Sequence, residues 1–242
     1  MLLVEKMELT GRWLFRWRSY LPLFMAIPVF AGLNQFTYPF GSHYYDQIWD
    51  LFCLTIAFVG LMVRIITVGY APICTSGRNT KEQVADTLNT TGMYSIVRNP
   101  LYFGNFLVGL GVSLFLRVWW IPCIYLFVFI LYYERIILAE EAFLREKFGQ
   151  KYTSWAEQTP VFIPHFRQWS KPAIPFNFRK ACRREYQTLS GIVAVFYSLE
   201  LMGEYRVSHT LMADRMWNVI ALGAIIIFVT TRFVHRYTDI LN

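Results

Sequence analysis

The sequence predicts an all-α membrane protein, a bundle of about six transmembrane helices with a polar pocket at its cytoplasmic face. Hydrophobic residues make up 55% of the 242 residues and charged residues only 16%, whereas a typical soluble domain carries about 25% charged residues. Several apolar segments approach the roughly 20 residues that a helix needs to cross a bilayer. This composition excludes a disordered chain and a disulfide-rich secreted module.

The predicted spans follow one another along the whole chain. They lie at residues 20–37, 51–70, 101–117, 119–138, 188–203 and 216–232. The third and the fifth are short. The third and fourth meet at Arg117 and Val118 with almost no linker, which predicts a tight helical hairpin. Pro122 falls in the first turn of the fourth span, where a proline is tolerated.

Basic residues give the orientation. If the N-terminus is cytoplasmic, eighteen of the 23 Lys and Arg residues fall on the cytoplasmic side and only Arg117, Arg206 and Arg215 on the other. This bias predicts that both termini are cytoplasmic, and we expect a bacterial inner membrane rather than the endoplasmic reticulum. In a membrane protein, the net charge of +7 serves topology and anionic headgroups, so no nucleic-acid partner is expected.

Two polar segments lie on the predicted cytoplasmic side. Residues 71–100 contain T-S-G-R-N-T-K and are rich in Thr, Asn and Gly, which favours a loop. Residues 139–187 begin with good helix formers that continue the fourth span as far as Gly149. Four prolines then break the helical pattern: Pro160, Pro164, Pro172 and Pro175.

The motif R-N-P-L-Y-F-G, from Arg98 to Gly104, stands at the cytoplasmic end of the third span. Pro100 suits the first turn of a helix, so Arg98 lies at the helix entrance, where free N–H groups favour an anion. The simpler interpretation, favoured by charge pattern alone, makes Arg98 a topological anchor and Tyr102 an interfacial aromatic residue.

Small residues recur further along the same span. Gly104 is followed by G-L-G at Gly109 to Gly111. Glycines on a membrane helix allow the close approach of a ligand or of a neighbouring helix. Taken alone, the pattern favours helix packing, and it lacks the third glycine of a dinucleotide-binding motif.

Paired acidic residues, Glu140 and Glu141, stand at the inner end of the fourth span. Glu134, Glu141 and Arg145 share one helical face, and Glu141 with Arg145 can form a simple i, i+4 salt bridge. Glu134 lies at membrane depth, where an ionisable side chain needs a partner, and Arg64 is the candidate. These groups predict a pocket that carries both signs of charge.

Together these motifs resemble the superfamily of isoprenylcysteine carboxyl methyltransferases and phospholipid methyltransferases. The resemblance spans roughly residues 50–165 and rests on order and spacing: T-G-M-Y-S-I-V-R-N-P-L-Y-F-G, then G-L-G, then E-E-A-F-L-R-E-K-F-G-Q-K-Y-T-S-W, then T-P-V-F-I-P. It implies an integral-membrane enzyme that uses S-adenosylmethionine. It also suggests a division into an N-terminal part (1–50), a methyltransferase core (51–165) and an extension (166–242) with a basic linker and two helices.

The resemblance also implies a cofactor site in this chain. The cofactor-binding positions that it implies are Arg98, Pro100, Tyr102, Gly104, Gly109, Gly111, Glu140 and Glu141. Positions Phe148, Gly149, Tyr152 and Pro164 correspond to the C-terminal signature of the family. The chain departs from the family at Asn99, where many members have His, and in its extension after residue 165.

The residue types also suggest the chemistry. Arg98, Glu141 and Arg145 are the predicted catalytic residues, with Arg98 or Arg145 holding an anion and a glutamate holding the cofactor's amino group or hydroxyls. The basic face mildly favours a carboxylate or phosphate oxygen on a lipid or prenylated acceptor. An amine acceptor, which must first lose a proton, is the alternative.

Two other expectations complete the prediction. The four cysteines (Cys53, Cys74, Cys123 and Cys182) and the four histidines are scattered, so a metal site built from them is not expected. A small transporter or a scaffold would be the non-enzymatic alternative, but the internal repeats expected of a transporter are absent from the sequence.

Overall fold

The computed structural model describes residues 3–18, 20–72 and 85–237, and within these ranges all regular structure is helical, as predicted. The nine α-helices within these ranges are α1 Leu3–Trp17, α2 Ala26–Gly32, α3 His43–Gly69, α4 Met93–Ile96, α5 Pro100–Phe115, α6 Trp120–Phe148, α7 Gln150–Gln158, α8 Phe178–Ser208 and α9 Arg215–Tyr237. Cys74 and the predicted loop T-S-G-R-N-T-K lie outside the described residues.

Three of these helices, α3, α6 and α9, are long and apolar enough to cross a membrane. Two further apolar helices, Leu23–Gln35 and α5, are shorter. The predicted first span consists of α2 and flanking 3₁₀ turns, and Pro28 within α2 has no N–H to donate to a helical hydrogen bond. The predicted fifth span lies within the longer helix α8. The structure therefore supports a membrane protein with three full-length candidate spans and several shorter apolar helices.

The most extensive helix contact among the described residues joins α3 and α5. Gly60 of α3 faces Gly104 of α5, and a Cβ atom added at Gly60 would lie 2.5 Å from the Gly104 carbonyl oxygen. Further along, a Cβ atom at Gly111 would lie 2.5 Å from the carbonyl oxygen of Cys53. The two backbones therefore touch, as small residues allow in membrane helices.

Helices α5 and α6 form the predicted hairpin. Only residues 116–119 separate them, and Arg117 within this turn has a left-handed backbone with φ of 60°. Tyr125 of α6 packs over Gly109 of α5, and its hydroxyl donates to the carbonyl of Phe106 at 2.8 Å.

The N-terminal helix α1 packs along the second half of α6, where Gly11 contacts the Arg135 backbone. The other side of α1 exposes Leu3, Leu9 and Trp13. A helix with one packed face and one exposed apolar face is typical of the membrane interface.

The C-terminal extension is not separate from the rest of the bundle. Helix α8 packs against α3, and Lys180 donates to the carbonyls of Ala71 at 2.6 Å and Pro72 at 3.0 Å. The basic residues of the predicted linker form the first two turns of α8: Arg179, Lys180, Arg183 and Arg184.

The α3–α5 contact predicts opposite effects for two glycine substitutions. Gly60→Ala should lower the free energy of unfolding by about 1–3 kcal/mol because the added methyl group forces two helix backbones apart. Gly191→Ala on α8, where nothing lies within 4 Å, should raise it by about 0.5–1 kcal/mol through helix propensity. Thermal unfolding of the purified protein, followed by tryptophan fluorescence, measures both. Equal melting temperatures for the two variants would contradict the close contact.

Candidate functional site at the mouth of helix α5

Residues 96–99, which lead into α5, are held by the segment that follows α7. The Arg98 amide donates to the carbonyl of Pro160 at 2.8 Å, and the His165 amide donates to the carbonyl of Ile96 at 2.8 Å. The Asn99 side chain donates to the carbonyl of Val161 at 3.0 Å. These bonds bring two distant parts of the sequence together around Arg98.

Four of the predicted site residues meet here in two pairs. Arg98 contacts Glu141 with 2.7 Å between Nη1 and Oε1, and the Tyr102 hydroxyl donates to Glu140 at 2.7 Å. Arg18, at the end of the N-terminal segment, lies 4.0 Å from Glu140. The site therefore combines carboxylates and guanidinium groups from three parts of the chain.

The guanidinium of Arg98 is only partly used by these contacts. Its Nε atom is buried and has no hydrogen-bond partner. Tyr152 of α7 is buried beside it, and burial, with the charge of Glu141 as the second cause, raises the pKa of Tyr152 to about 12. Tyr152 is therefore a neutral phenol at physiological pH.

A groove opens beside Arg98. Its volume is about 590 Å³, and it is lined by Arg98 and by residues of the segment 156–168, among them Glu157 and His165. This volume lies in the range of about 300–1,000 Å³ found for small-molecule sites.

A second charged group extends from the site into the bundle. Arg64 of α3 forms two hydrogen bonds with Glu185 of α8, each 2.9 Å long, and it also donates to Asn105. Asn105 donates to the Tyr133 hydroxyl at 3.1 Å, and the ring of Tyr133 lies 4.7 Å from that of Tyr102. This chain of contacts connects α8 to the mouth of α5.

The predicted partner of Arg64 was wrong. Glu134 is exposed on α6, and the carboxylate beside Arg64 is Glu185, 121 residues away. Little in the sequence indicates Glu185, which is the lone acidic residue of a basic stretch. A usable signal is Arg64 itself, because an arginine within the apolar helix α3 needs a counter-ion somewhere in the chain.

The remaining predicted residues lie elsewhere. Gly104 and Gly111 face α3, and Gly109 faces Tyr125, so all three lie at helix contacts. Arg145 is exposed one turn beyond Glu141, whose carboxylate contacts Arg98. Pro100 is the buried first residue of α5.

The segment that contains this site is also similar to a known family. Residues 52–151 match the model of the phospholipid methyltransferase family. The resemblance to the superfamily of isoprenylcysteine and phospholipid methyltransferases is confirmed. The matched segment includes Arg98, Tyr102, Glu140 and Glu141.

Three curated relatives are similar to parts of the chain. The cobalt-zinc-cadmium resistance protein CzcN of Cupriavidus metallidurans is 32% identical over 52% of this chain and 56% of its own length. The nickel-cobalt-cadmium resistance protein NccN of Alcaligenes xylosoxydans xylosoxydans is 29% identical over 51% and 56%. The protein-S-isoprenylcysteine O-methyltransferase of Schizosaccharomyces pombe is 32% identical over 32% and 33%.

The chain spans about half the length of the first two relatives and a third of the last. No solved structure matches it significantly. Together, the family model and the isoprenylcysteine methyltransferase support a membrane methyltransferase.

The Arg64–Glu185 pair predicts a strong and non-additive effect on stability. Glu185→Gln should lower the free energy of unfolding by about 3–5 kcal/mol, because it leaves a largely buried guanidinium without its carboxylate. The double variant Arg64→Met/Glu185→Leu should recover most of this loss. Thermal unfolding of Glu185→Gln, of Arg64→Met and Glu185→Leu singly, and of the double variant measures the difference, with exposed Glu146→Gln as the control. A double variant that loses the sum of both single effects would contradict the pairing.

Proposed function

We propose that the protein transfers a methyl group from S-adenosylmethionine to an amphiphilic acceptor, a lipid or a prenylated molecule, embedded in the membrane. The observation that carries the proposal is the paired contact of Arg98 with Glu141 and of Tyr102 with Glu140 at the mouth of α5. These four residues belong to the segment that matches a methyltransferase family, and Arg98 also lines the adjacent groove.

The residues fit the charges of the proposed cofactor. The buried and unpartnered Nε atom of Arg98 is suited to a carboxylate oxygen, since guanidinium groups bind carboxylates in a bidentate manner. Glu140 and Glu141 are suited to an ammonium group or to ribose hydroxyls. When bound, S-adenosylmethionine would supply a methyl group on a good leaving group, so the protein mainly has to align the acceptor and exclude water.

An apolar wall next to the groove offers a place for the acceptor's hydrocarbon chain. Phe162, from the segment that lines the groove, lies 5.8 Å from Phe103, 5.5 Å from Phe106 and 5.7 Å from Phe129, measured between ring centroids. A polar groove beside an aromatic wall suits a molecule with a charged head and an apolar tail. By the distribution of basic residues, this end of the bundle faces the cytoplasm.

We favour an oxygen acceptor, a carboxylate or a phosphate. Such groups need no general base, and Arg145, exposed one turn beyond Glu141, can hold an anionic headgroup. The second candidate is the methylation of a lipid amine. The observation in its favour is His165, which lines the same groove as Arg98 and can accept a proton.

The proposal predicts saturable binding of S-adenosylmethionine to the detergent-purified protein. Glu141→Gln and Arg98→Ala should each weaken binding by about 10- to 100-fold, the equivalent of about 1.4–2.8 kcal/mol, because each removes a charge-assisted contact. Isothermal titration calorimetry measures the affinity. Glu146→Gln, an exposed carboxylate on the same helix, should bind as the wild type does.

Two results would contradict this proposal. If the folded wild type binds neither S-adenosylmethionine nor S-adenosylhomocysteine, the protein does not use this cofactor. Unchanged affinity in both Glu141→Gln and Arg98→Ala would show that the cofactor binds elsewhere.

The acceptor class predicts the stability of the methylated product. With methyl-labelled S-adenosylmethionine and membranes that contain the protein, we expect label in the lipid-soluble fraction. A carboxyl methyl ester releases that label as volatile methanol in alkali, whereas an N-methyl product retains it. Alkali-stable label in a lipid amine would favour the second candidate over the first.

A further inference from the structure

A second polar cluster lies at the opposite end of the bundle from Arg98. Asp46 and Asp50 are four residues apart near the start of α3 and share one helical face. Glu200 reaches them from α8, near its C-terminal end. One carboxylate oxygen from each of the three lies within 4.8 Å of the others. Sixteen residues of α5, about 24 Å of helix, separate this end from the groove.

The three carboxylates are buried and poorly satisfied. Asp46, Asp50 and Glu200 are each only 1% exposed. Both oxygens of Glu200 and one oxygen of Asp50 have no hydrogen-bond partner. Trp217 donates to the other oxygen of Asp50 at 3.1 Å. Buried polar atoms without partners are rare in native proteins and require an explanation.

Arg117 neutralises only part of the charge. It lies 2.6 Å from Asp46 and 3.7 Å from Asp50. Among the described residues, no basic side chain forms an ion pair with Glu200. With all three acids ionised, the group of three carboxylates and one guanidinium carries a net charge of −2, which one divalent cation balances.

The distances and the donor atoms both suit a hard cation. Oxygen ligands of Ca²⁺ lie about 2.3–2.6 Å from the metal, so two ligands on opposite sides of it are about 4.6–5.2 Å apart. Carboxylate oxygens within 4.8 Å of one another are close enough to bind one such cation. An all-oxygen set is typical of Mg²⁺, Ca²⁺ and Mn²⁺ rather than of softer metals.

We propose that Asp46, Asp50 and Glu200 bind a divalent cation of the oxygen-preferring class, Mg²⁺, Ca²⁺ or Mn²⁺. The cation joins α3 to α8 at the end of the bundle remote from the groove. This site is independent of the proposed methyl transfer.

The neighbouring residues offer a route from the surface. His43 is 41% exposed and lies 3.0 Å from Asp214 and 3.9 Å from Glu204. His43, Asp46 and Glu204 form a second group of possible ligands that shares Asp46 with the first. A cation that enters from the side of His43 would contact His43 and Glu204 before the buried carboxylates.

The test uses the full-length protein, purified in detergent and treated with EDTA, which is then removed. Mn²⁺ is the probe, because the electron paramagnetic resonance signal of free Mn²⁺ measures how much remains unbound. We expect one Mn²⁺ bound per chain, competed by Ca²⁺ or Mg²⁺, and a higher melting temperature in its presence. Calorimetry with S-adenosylmethionine on the same samples reports separately on the groove.

Substitutions locate the site. Glu200→Gln, which keeps the shape of the side chain, and Asp50→Asn should each weaken Mn²⁺ binding at least tenfold. Glu146→Gln should leave it unchanged. Glu204→Gln separates the two groups of ligands, since it should slow the entry of Mn²⁺ with little change in affinity.

Three results would overturn the proposal. The first is a folded wild type that neither binds Mn²⁺ nor gains stability from any of the three cations; the acids then share protons among themselves. The second is Mn²⁺ binding that persists unchanged in Glu200→Gln and Asp50→Asn. The third is binding that Zn²⁺ competes for but Ca²⁺ and Mg²⁺ do not, lost in Glu204→Gln alone, which would assign it to the group that contains His43. If Glu200→Gln fails to fold, Asp50→Asn and the wild-type competition decide.

Discussion

The backbone contact between α3 and α5 is the constraint on which the rest of the structure depends. Because Gly60 and Gly104 carry no side chains, the two helices approach closely enough for residues at both ends to interact. At one end, Arg64 passes Gly104 and reaches the network beside the groove. At the other, Asp46 of α3 meets Arg117, just beyond the end of α5. A wider separation of these helices would break both the contacts of Arg64 and the contact of Asp46 with Arg117.

The sequence predicted where α5 begins because the determinants are local. Pro100 marks the first turn of a helix, and adjacent acidic residues at the end of an apolar stretch mark a membrane boundary, so Arg98 and Glu141 could be placed at the same end of the bundle without a structure. The pairing of Glu141 with Arg98 could not be predicted, since i, i+4 spacing favours a salt bridge between Glu141 and Arg145. Tertiary contact decided between the two, and it also placed the predicted glycines at helix contacts.

The number of membrane spans was harder to predict, for a physical reason. Hydropathy measures how readily a residue leaves water. A helix buried in protein can therefore have the same high hydropathy as a helix buried in lipid. Helix α8 illustrates the difficulty, because its buried face carries Glu185 and Glu200. Both carboxylates lower the mean hydropathy of the helix, although Glu185 pairs with Arg64 and Glu200 lies beside Asp46 and Asp50. Composition alone cannot separate such a helix from a linker followed by a short span.

The pairing of Arg64 with Glu185 has a consequence for the modularity of the chain. The segment that matches the family model ends at residue 151, yet the carboxylate that balances its largely buried Arg64 lies more than thirty residues later. During synthesis, the segment therefore emerges with an uncompensated guanidinium, and it completes its charge balance only when α8 docks. Transplanted alone into another protein, this segment would keep its motifs but lose the counter-ion, so the unit that folds is larger than the unit that the family defines.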